Sequence, residues 1–582
     1  MEKLARFRDL MQQQQIDAYI LQNSDAHQSE YIAPYWQSIQ WLTNFSGSMA
    51  IALVTKDAAI LWTDGRYFIQ AEEELKGSGF ELYKLGEEGV PNSSDYLAKV
   101  LAPTATIGFD GRAMGTASFN QLKKKLPKAN FVYSDLLHEL WVDRPTLPQN
   151  PVWVQGLQYA GQTSLEKLTA VREVMTKKQA DAYVVGALDD IMWLTNLRGT
   201  DIENSTVAFA YLLVTLDKAY LFVDENKLNE EAKAHLGDFE LLPYEAIFDF
   251  DLSYEAVAYN DASTSVRLFE SLKPEAKKIN VASIIGDLKA IKNLSEIKNI
   301  ENSQLKEGVS LVRLYKWLDE VDLAKEVVTE GDVEDKLVAL RKEQAGYLED
   351  SFHTISGYAG NGAIVHYRSQ NGGKQLEPRG FLLVDTGAHY VDGTTDTTRT
   401  LPLGELTEEM KRDYTLVLKA NLALSRAVFP KGTKGVQLDA LARQYMWQYQ
   451  LDYRHGTGHG VGFCLGVHEG PQSISSNLKD VAIQAGMLSS NEPGMYRAGS
   501  HGIRIETLIL AKELATNGFG TFLGFDVVSY APISTVPLVR ELMTAEEIAQ
   551  LNAYNRLVFE KLSPYLTEDE KAWLEKATKD IS

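Results

Sequence analysis

Four carboxylates and one imidazole, carried by three short motifs, constrain what this chain can fold into. The motifs are LLVDTGAHYVDGTTDTTRT (382–400), HGTGHGVGFCLGVHEGP (455–471) and SSNEPGMYRAGSHGIRIET (489–507). Seven of the chain's ten histidines fall between His353 and His501, and Asp385, Asp396, Glu492 and Glu506 sit among them at short intervals. Residue types that ligate metals, gathered in this way, require a fold that brings separate stretches to one point.

The first motif reads as a β-hairpin. An apolar run at 381–384 ends at Asp385, a turn-prone stretch follows at 390–393, and β-branched residues dominate 395–401. Asp385 and Asp396 are 11 residues apart. A turn centred between Tyr390 and Val391 makes them face each other. One centred on Asp392 and Gly393 sets Asp385 opposite Thr400, with Asp396 an even step away on the same face. Glu492 and Glu506 repeat the pattern, because 487–492 and 503–510 read as strands around a bend containing Gly494, Gly499 and Gly502. Helical patterns precede each hairpin, over 301–344 and 406–450. The order helices, hairpin, helices, hairpin predicts two similar halves, each giving two carboxylates to a shared centre, with His459 as a fifth ligand.

Converging carboxylates repel one another. Two like charges about 4 Å apart cost about 4 kcal/mol at an effective dielectric of about 20. Two divalent cations cancel four negative charges and leave room for a bridging hydroxide. An oxygen-dominated set with a single imidazole suits manganese better than a thiolate-seeking ion. Two such ions, roughly 3.5–4 Å apart, make a hydrolytic centre because they lower the pKa of the water between them.

Taken together, these motifs resemble those of the pita-bread metallopeptidases, and specifically of three-domain aminopeptidase P. NSDAHQSEYIAPY (23–35) and WTDGRYF (62–68) resemble that family's first domain, and ALDDIMWLTNLRGTDIE (187–203) its second. NGAIVHYR (361–368) and the three motifs above resemble its catalytic domain. The resemblance implies an α/β (α+β) architecture: creatinase-like N-terminal domains over 1–155 and 156–300, then a pita-bread catalytic domain with a C-terminal extension over 301–582. It also implies hydrolysis of the bond between an N-terminal residue and a following proline, and a homodimer built through the catalytic domain.

The remaining sequence is read on its own terms. Its 582 residues are too many for one core and allow roughly three or four domains. A net charge of −21 repels phosphate backbones and anionic membranes, so nucleic acid is set aside as a partner. The single Cys464 excludes an internal disulfide and a cysteine-based zinc cage, and its apolar, glycine-rich surroundings make it a packed core residue. No apolar run approaches the roughly 20 residues that span a bilayer. The first helix, with Leu4, Phe7, Leu10 and Met11 on one face, lacks a signal-peptide core, which predicts a cytoplasmic protein.

An internal repeat organises the first half. IDAYIL (16–21) recurs as ADAYVV (180–185) and WLTNF (41–45) as WLTNL (193–197), with DRPTLPQNPVW (143–153) as linker. Asp64, Arg66 and Arg198 read as structural ion-pair partners and His353 as structural. Strands are expected over 521–538, and a helix after Thr544, where Thr544 and Glu547 have capping-box spacing.

Charge flow assigns the remaining roles. Glu492 is the candidate base and proton carrier, because a proline nitrogen carries no hydrogen and leaves poorly unless protonated. His455 and His468 are expected to stabilise the oxyanion and hold the proline side. His366 matches the family position that meets substrate and would assist proton movement. Arg504, two residues before Glu506, would hold the Glu506 carboxylate or the substrate. His389 and His501, near turns, are expected to be solvated. Asn491 departs from the family pattern, in which an acid often stands at this place. Three alternatives stay open: a prolidase restricted to dipeptides, a methionine aminopeptidase, and a non-catalytic binding protein on the same fold.

Overall fold

In the computed structural model, which describes residues 2–582, the sequence repeat is two copies of one sheet. The first has the strand order Glu81–Lys84, Ala59–Thr63, Ile51–Thr55, Ala18–Gln22, Thr106–Phe109, Asn130–Tyr133. The second runs Glu240–Leu242, Ala219–Val223, Ala210–Thr215, Ala182–Val185, Ala256–Tyr259, Lys277–Asn280. In each, the repeated DAY strand is the pivot, antiparallel to one neighbour and parallel to the other. The repeated WLTN explains itself locally. Its asparagine ends a helix in the left-handed region, with φ of 69° at Asn44 and 52° at Asn196, a conformation that asparagine tolerates better than most residues.

Contacts divide the chain into two units, one of residues up to 156 with 162–286, the other of 157–161 with 287–582. Both repeated sheets lie in the first. Within it, buried His27 of the first copy meets the Gly186 carbonyl through Nδ1 (2.8 Å) and the Tyr244 hydroxyl through Nε2 (2.6 Å) of the second. The ring lies 4.4 Å from Tyr211, centroid to centroid. Asp64 and Arg66 pair with each other, as expected, and buried Arg198 donates to the carbonyls of Met192 and Leu197.

The second unit begins earlier than residue 301. Asn293 caps the helix Leu294–Glu320 in a capping box with Glu296, and a second helix, Glu330–Lys342, follows. Next comes the hairpin of Phe381–Thr386 and Thr397–Pro402, extended by Ala388–Tyr390 and Gly393–Thr394. Its turn falls on Val391 and Asp392, a register between the two considered from sequence, so that Asp385 opposes Thr398. Asp396 stands two residues before Thr398, between the strands Gly393–Thr394 and Thr397–Pro402, and near enough to Asp385 for their charges to repel. The helices Glu408–Ser425 and Gly435–Trp447 then lead to a six-stranded sheet that contains Gly458–Gly460, Leu488–Asn491 and Thr507–Asn517.

Three local expectations are corrected. Gly494 and Gly502 are not in a bend but in the short strands Gly494–Arg497 and His501–Arg504, which pair with each other. Strand structure after 521 stops at Val527; the carbonyls of Ala531 and Pro532 are instead taken by the buried guanidinium of Arg399. His389 and His501 are fully buried rather than solvated. His501 reaches Asp413 (3.3 Å) on the helix Glu408–Ser425, and His389 reaches Thr394 (3.0 Å).

The core of this unit surrounds the helix Glu408–Ser425, from which Val417, Leu418 and Leu422 pack with Ile503, Ile505 and Ile509. Buried Asn421 donates to the carbonyls of Asn491 (2.9 Å) and Ile505 (3.1 Å), each one residue before a glutamate of the third motif. The C-terminal helix Ala545–Leu562 starts at the expected capping box. Its Leu551 and Tyr554 are buried, and Leu557 and Phe559 pack against the same core. Among the described residues no helix is long and apolar enough to cross a membrane.

Candidate active site

The two hairpins bring their acids to one buried point. Ligand atoms of Asp396, His459 and Glu506 lie within 4.8 Å of one another. His459 Nε2 is 3.4 Å from Asp396 Oδ2 and 3.4 Å from Glu492 Oε1. Asp385, two strand residues from the Asp396 register position, completes the face; its Oδ1 is buried with no hydrogen-bond partner. Short residues keep the approach close. A Cβ on Gly458 would lie 2.0 Å from the Ser490 carbonyl, so only glycine allows the His459 strand to run against the one leading to Glu492.

Each side chain is aimed by its neighbours. His459 Nδ1 meets its own strand at Gly460 O (2.9 Å), which turns Nε2 toward the carboxylates. Thr398 donates to Glu506 Oε2 (2.7 Å) and Ser490 to Glu492 Oε1 (3.2 Å). The electrostatics record an excess of negative charge. Burial, followed by repulsion from Asp396, Asp385 and Glu492, raises the proton affinity of Glu506 far above the usual carboxylate range. Burial also dominates at Asp396, which is pushed up to about 6 despite its contact with His459. At His459 burial opposes protonation, yet Asp396 and Glu492 outweigh it and lift the imidazole to about 9.

Arg504 does not hold Glu506. Its Nη2 (2.5 Å) and Nε (3.1 Å) both reach Asp385 Oδ2, while Nη1 donates to the Tyr496 hydroxyl (2.6 Å). The cause is a break in the strand: His501–Arg504 belongs to a two-stranded sheet and Thr507–Asn517 to another, so alternation does not carry from 504 to 506. Tyr496 in turn lies 2.8 Å from His455 Nε2, and His455 Nδ1 lies 2.8 Å from Gly456 O and 3.8 Å from Glu492 Oε2. Burial, with Arg504 nearby, lowers the His455 pKa against the pull of Glu492. The neutral ring therefore donates from Nδ1 to Gly456 and accepts at Nε2 from Tyr496, using both nitrogens as a brace.

His468 is exposed, with its ring edge-on to His459 at 4.3 Å between centroids. His366 is half-buried on the loop after the short helix Ala359–Ala363, and the preceding Val365 carbonyl is 3.5 Å from Arg504 Nη2. His353 is exposed. Cys464 is fully buried. Asn491 faces away from the centre: its amide donates to Asn421 O (2.8 Å) and Ser425 Oγ (2.9 Å), as alternation from Glu492 requires. Sequence reasoning missed Thr398 and Tyr496. Thr398 stands two residues after Asp396, at the start of the strand Thr397–Pro402. Tyr496 carried no comparable signal.

A buried cluster of acids and imidazole, assembled from both hairpins of a helix–hairpin repeat and preceded by two like sheet domains, defines the class as a metallohydrolase. Family models agree along the chain. The creatinase/prolidase N-terminal domain matches residues 3–140 and again, in a second form, 143–296. Metallopeptidase family M24 matches 303–513, and the C-terminal region of peptidase M24 matches 521–581. Aminopeptidase P2 of Arabidopsis thaliana is 39% identical over 100% of this chain and 88% of its own length. A probable Xaa-Pro aminopeptidase P of Laccaria bicolor is 40% identical over 98% of this chain and 92% of its own length. Among solved structures, the X-prolyl aminopeptidase of Caenorhabditis elegans, described as a cytosolic enzyme with a di-nuclear active site, superposes with a TM-score of 0.96. It is 34% identical, covering 100% of this chain and 99% of that one. The chain belongs to the aminopeptidase P group of metallopeptidase family M24.

Proposed function

We propose that this protein is an Xaa-Pro aminopeptidase: it hydrolyses the bond between any N-terminal residue and a following proline, using two divalent ions. Asp385, Asp396, His459, Glu492 and Glu506 would hold the ions, which we assign as manganese because the donors are four carboxylates and one imidazole. The residues fit such a pair. Asp385 Oδ1 is buried without a partner, and the acids around it take up protons far too readily for a site complete without cations. When bound, the ions would polarise the scissile carbonyl and acidify the attacking water.

The side chains supply the rest. Glu492 accepts the proton that the attacking water gives up and passes it to the proline nitrogen, which has no hydrogen of its own and needs one to leave. Ser490 donates to Glu492 Oε1 and orients it for that transfer, while His455 lies beside the other oxygen, its Nδ1 3.8 Å from Oε2. His468, exposed beside His459, and His366, half-buried on its loop, bind the substrate and stabilise charge on the carbonyl oxygen. Arg504 holds and aims the Asp385 carboxyl. We assign the protein further as a cytoplasmic homodimer without nucleic-acid or membrane partners.

One observation carries this reading: acids from both hairpins converge on His459 Nε2. The test is a panel of Xaa-Pro-Pro peptides, Xaa-Pro dipeptides and Xaa-Ala controls, assayed after chelation and again after manganese is restored. Cleavage of the longer Xaa-Pro peptides, lost on chelation and regained with manganese, is expected. Cleavage of dipeptides alone would make the protein a prolidase, and no cleavage with a full complement of metal would make it a binding protein.

A further inference from the structure

Glu330 opens the helix Glu330–Lys342, yet it takes no part in capping it. Thr329 and Asp332 do that work reciprocally. The Glu330 side chain, fully buried, turns outward into the loop that carries His366. Its Oε1 accepts from the Tyr358 amide (2.7 Å) and the Asn361 side-chain amide (3.0 Å). Its Oε2 accepts from Asn361 again (3.1 Å), the Tyr367 hydroxyl (2.7 Å) and the Lys374 amide (2.6 Å). These donors come from the start, middle and end of one irregular loop. The two carboxyl oxygens have lone pairs enough for all of these donors at once.

The two neighbours of His366 are therefore pinned from opposite directions. Val365 O lies against Arg504, the residue that grips Asp385, and the Tyr367 hydroxyl is held by Glu330. One turn along the helix, Glu334 faces Ser369 of the same loop.

We propose that Glu330 is a positioning residue for His366: its carboxylate is the hub on which the loop 358–374 is built, and it sets how far the imidazole reaches over the reaction centre. A glutamine at this place has the same shape but puts an N–H where Lys374 or Tyr367 now donates. The loop then loses a buried partner and relaxes.

Turnover as a readout rests on the peptidase reading, so the experiment has a second readout that does not. Full-length, manganese-loaded Glu330→Gln, Tyr367→Phe, His366→Ala and the corresponding double variants are compared in kcat and KM on an Xaa-Pro-Pro peptide, in bound manganese, and in amide exchange over 358–374. Glu330→Gln should lower kcat about ten- to a hundredfold, the scale expected for a misplaced group, with manganese content unchanged. In the His366→Ala background the same change should cost less than about threefold, because the two act as one unit. Exchange over 358–374 should quicken in Glu330→Gln, and Tyr367→Phe should move every readout the same way by less. Losses that simply multiply, or a kcat equal to wild type, overturn the proposal. If Glu330→Gln fails to fold, the Tyr367→Phe cycle decides alone by the same criteria. If the wild type cleaves no Xaa-Pro peptide, the peptidase reading falls, while unchanged exchange over 358–374 would still defeat the role given to Glu330.

Discussion

Metal binding at this centre should be a proton-release reaction. Without metal, His459 holds a proton to about pH 9, because its Nε2 faces Asp396 and Glu492 at 3.4 Å each. An ion needs that nitrogen neutral, so below pH 9 the ion has to displace the proton. At pH 7 the displacement spans two pH units and costs about 2.7 kcal/mol, roughly a hundredfold in affinity. Affinity should rise about tenfold per pH unit and level off near 9. Glu506, with its proton affinity far above the usual carboxylate range, adds a second proton over part of that window. Titrating the metal-free protein with manganese by calorimetry, in two buffers of different ionisation enthalpy at pH 7, counts the protons directly; about one to two should leave. His459→Ala should abolish the steep pH dependence along with much of the affinity. Equal heats in both buffers, or an affinity that ignores pH between 6.5 and 8.5, would refute the reasoning, since either result means His459 is not competing with the metal for one lone pair.

Other outcomes follow from single contacts. Burial lowers the His27 pKa to about 3, so its neutral form stabilises the first unit fully above pH 6.5 and progressively less as pH falls toward 3. The worth is up to about 5 kcal/mol, and denaturant titrations of wild type and His27→Gln at several pH values should converge at low pH. Asn421→Ala leaves the Asn491 and Ile505 carbonyls without their side-chain partner and should cost about 2–4 kcal/mol by urea unfolding. Arg504→Lys cannot hold Asp385 and Tyr496 together, so kcat should fall about ten- to a hundredfold while the protein still folds. Gly502→Ala would set a Cβ 1.7 Å from the Gly362 carbonyl oxygen, and a melting curve should show a marked loss of thermal stability relative to wild type.

Local periodicity made much of this protein legible from its residues. Strand alternation put Asp385 and Asp396 on one face for either turn considered, because both set the partner of Asp385 an even number of residues from Asp396; a one-residue slip would have put them on opposite faces. The capping pair Thr544–Glu547 announced a helix start through hydrogen bonds that need only neighbouring residues, and the WLTN repeat announced the duplicated domain, although its role in ending a helix came only from the structure. The acids and His459 could be named for the same reason: few arrangements of such residue types at such spacings avoid mutual repulsion without a cation.

What the sequence could not give was which faces meet. Arg504 was expected beside Glu506 and instead holds Asp385, because the strand breaks between them and the next stretch joins another sheet. His389 and His501 looked solvated near their turns, but packing seals both, and His501 is bound to Asp413 on a helix 88 residues away. Glu330 lay outside every motif and Tyr496 inside one that assigned it no role; each became a hub only when distant chain was folded around it. Sequence alone determined the chemistry available and the local helix cap at Thr544, since these depend only on residue type and near neighbours. The tertiary structure decided the partners, because long-range packing chooses among side chains that covalent geometry leaves equally free.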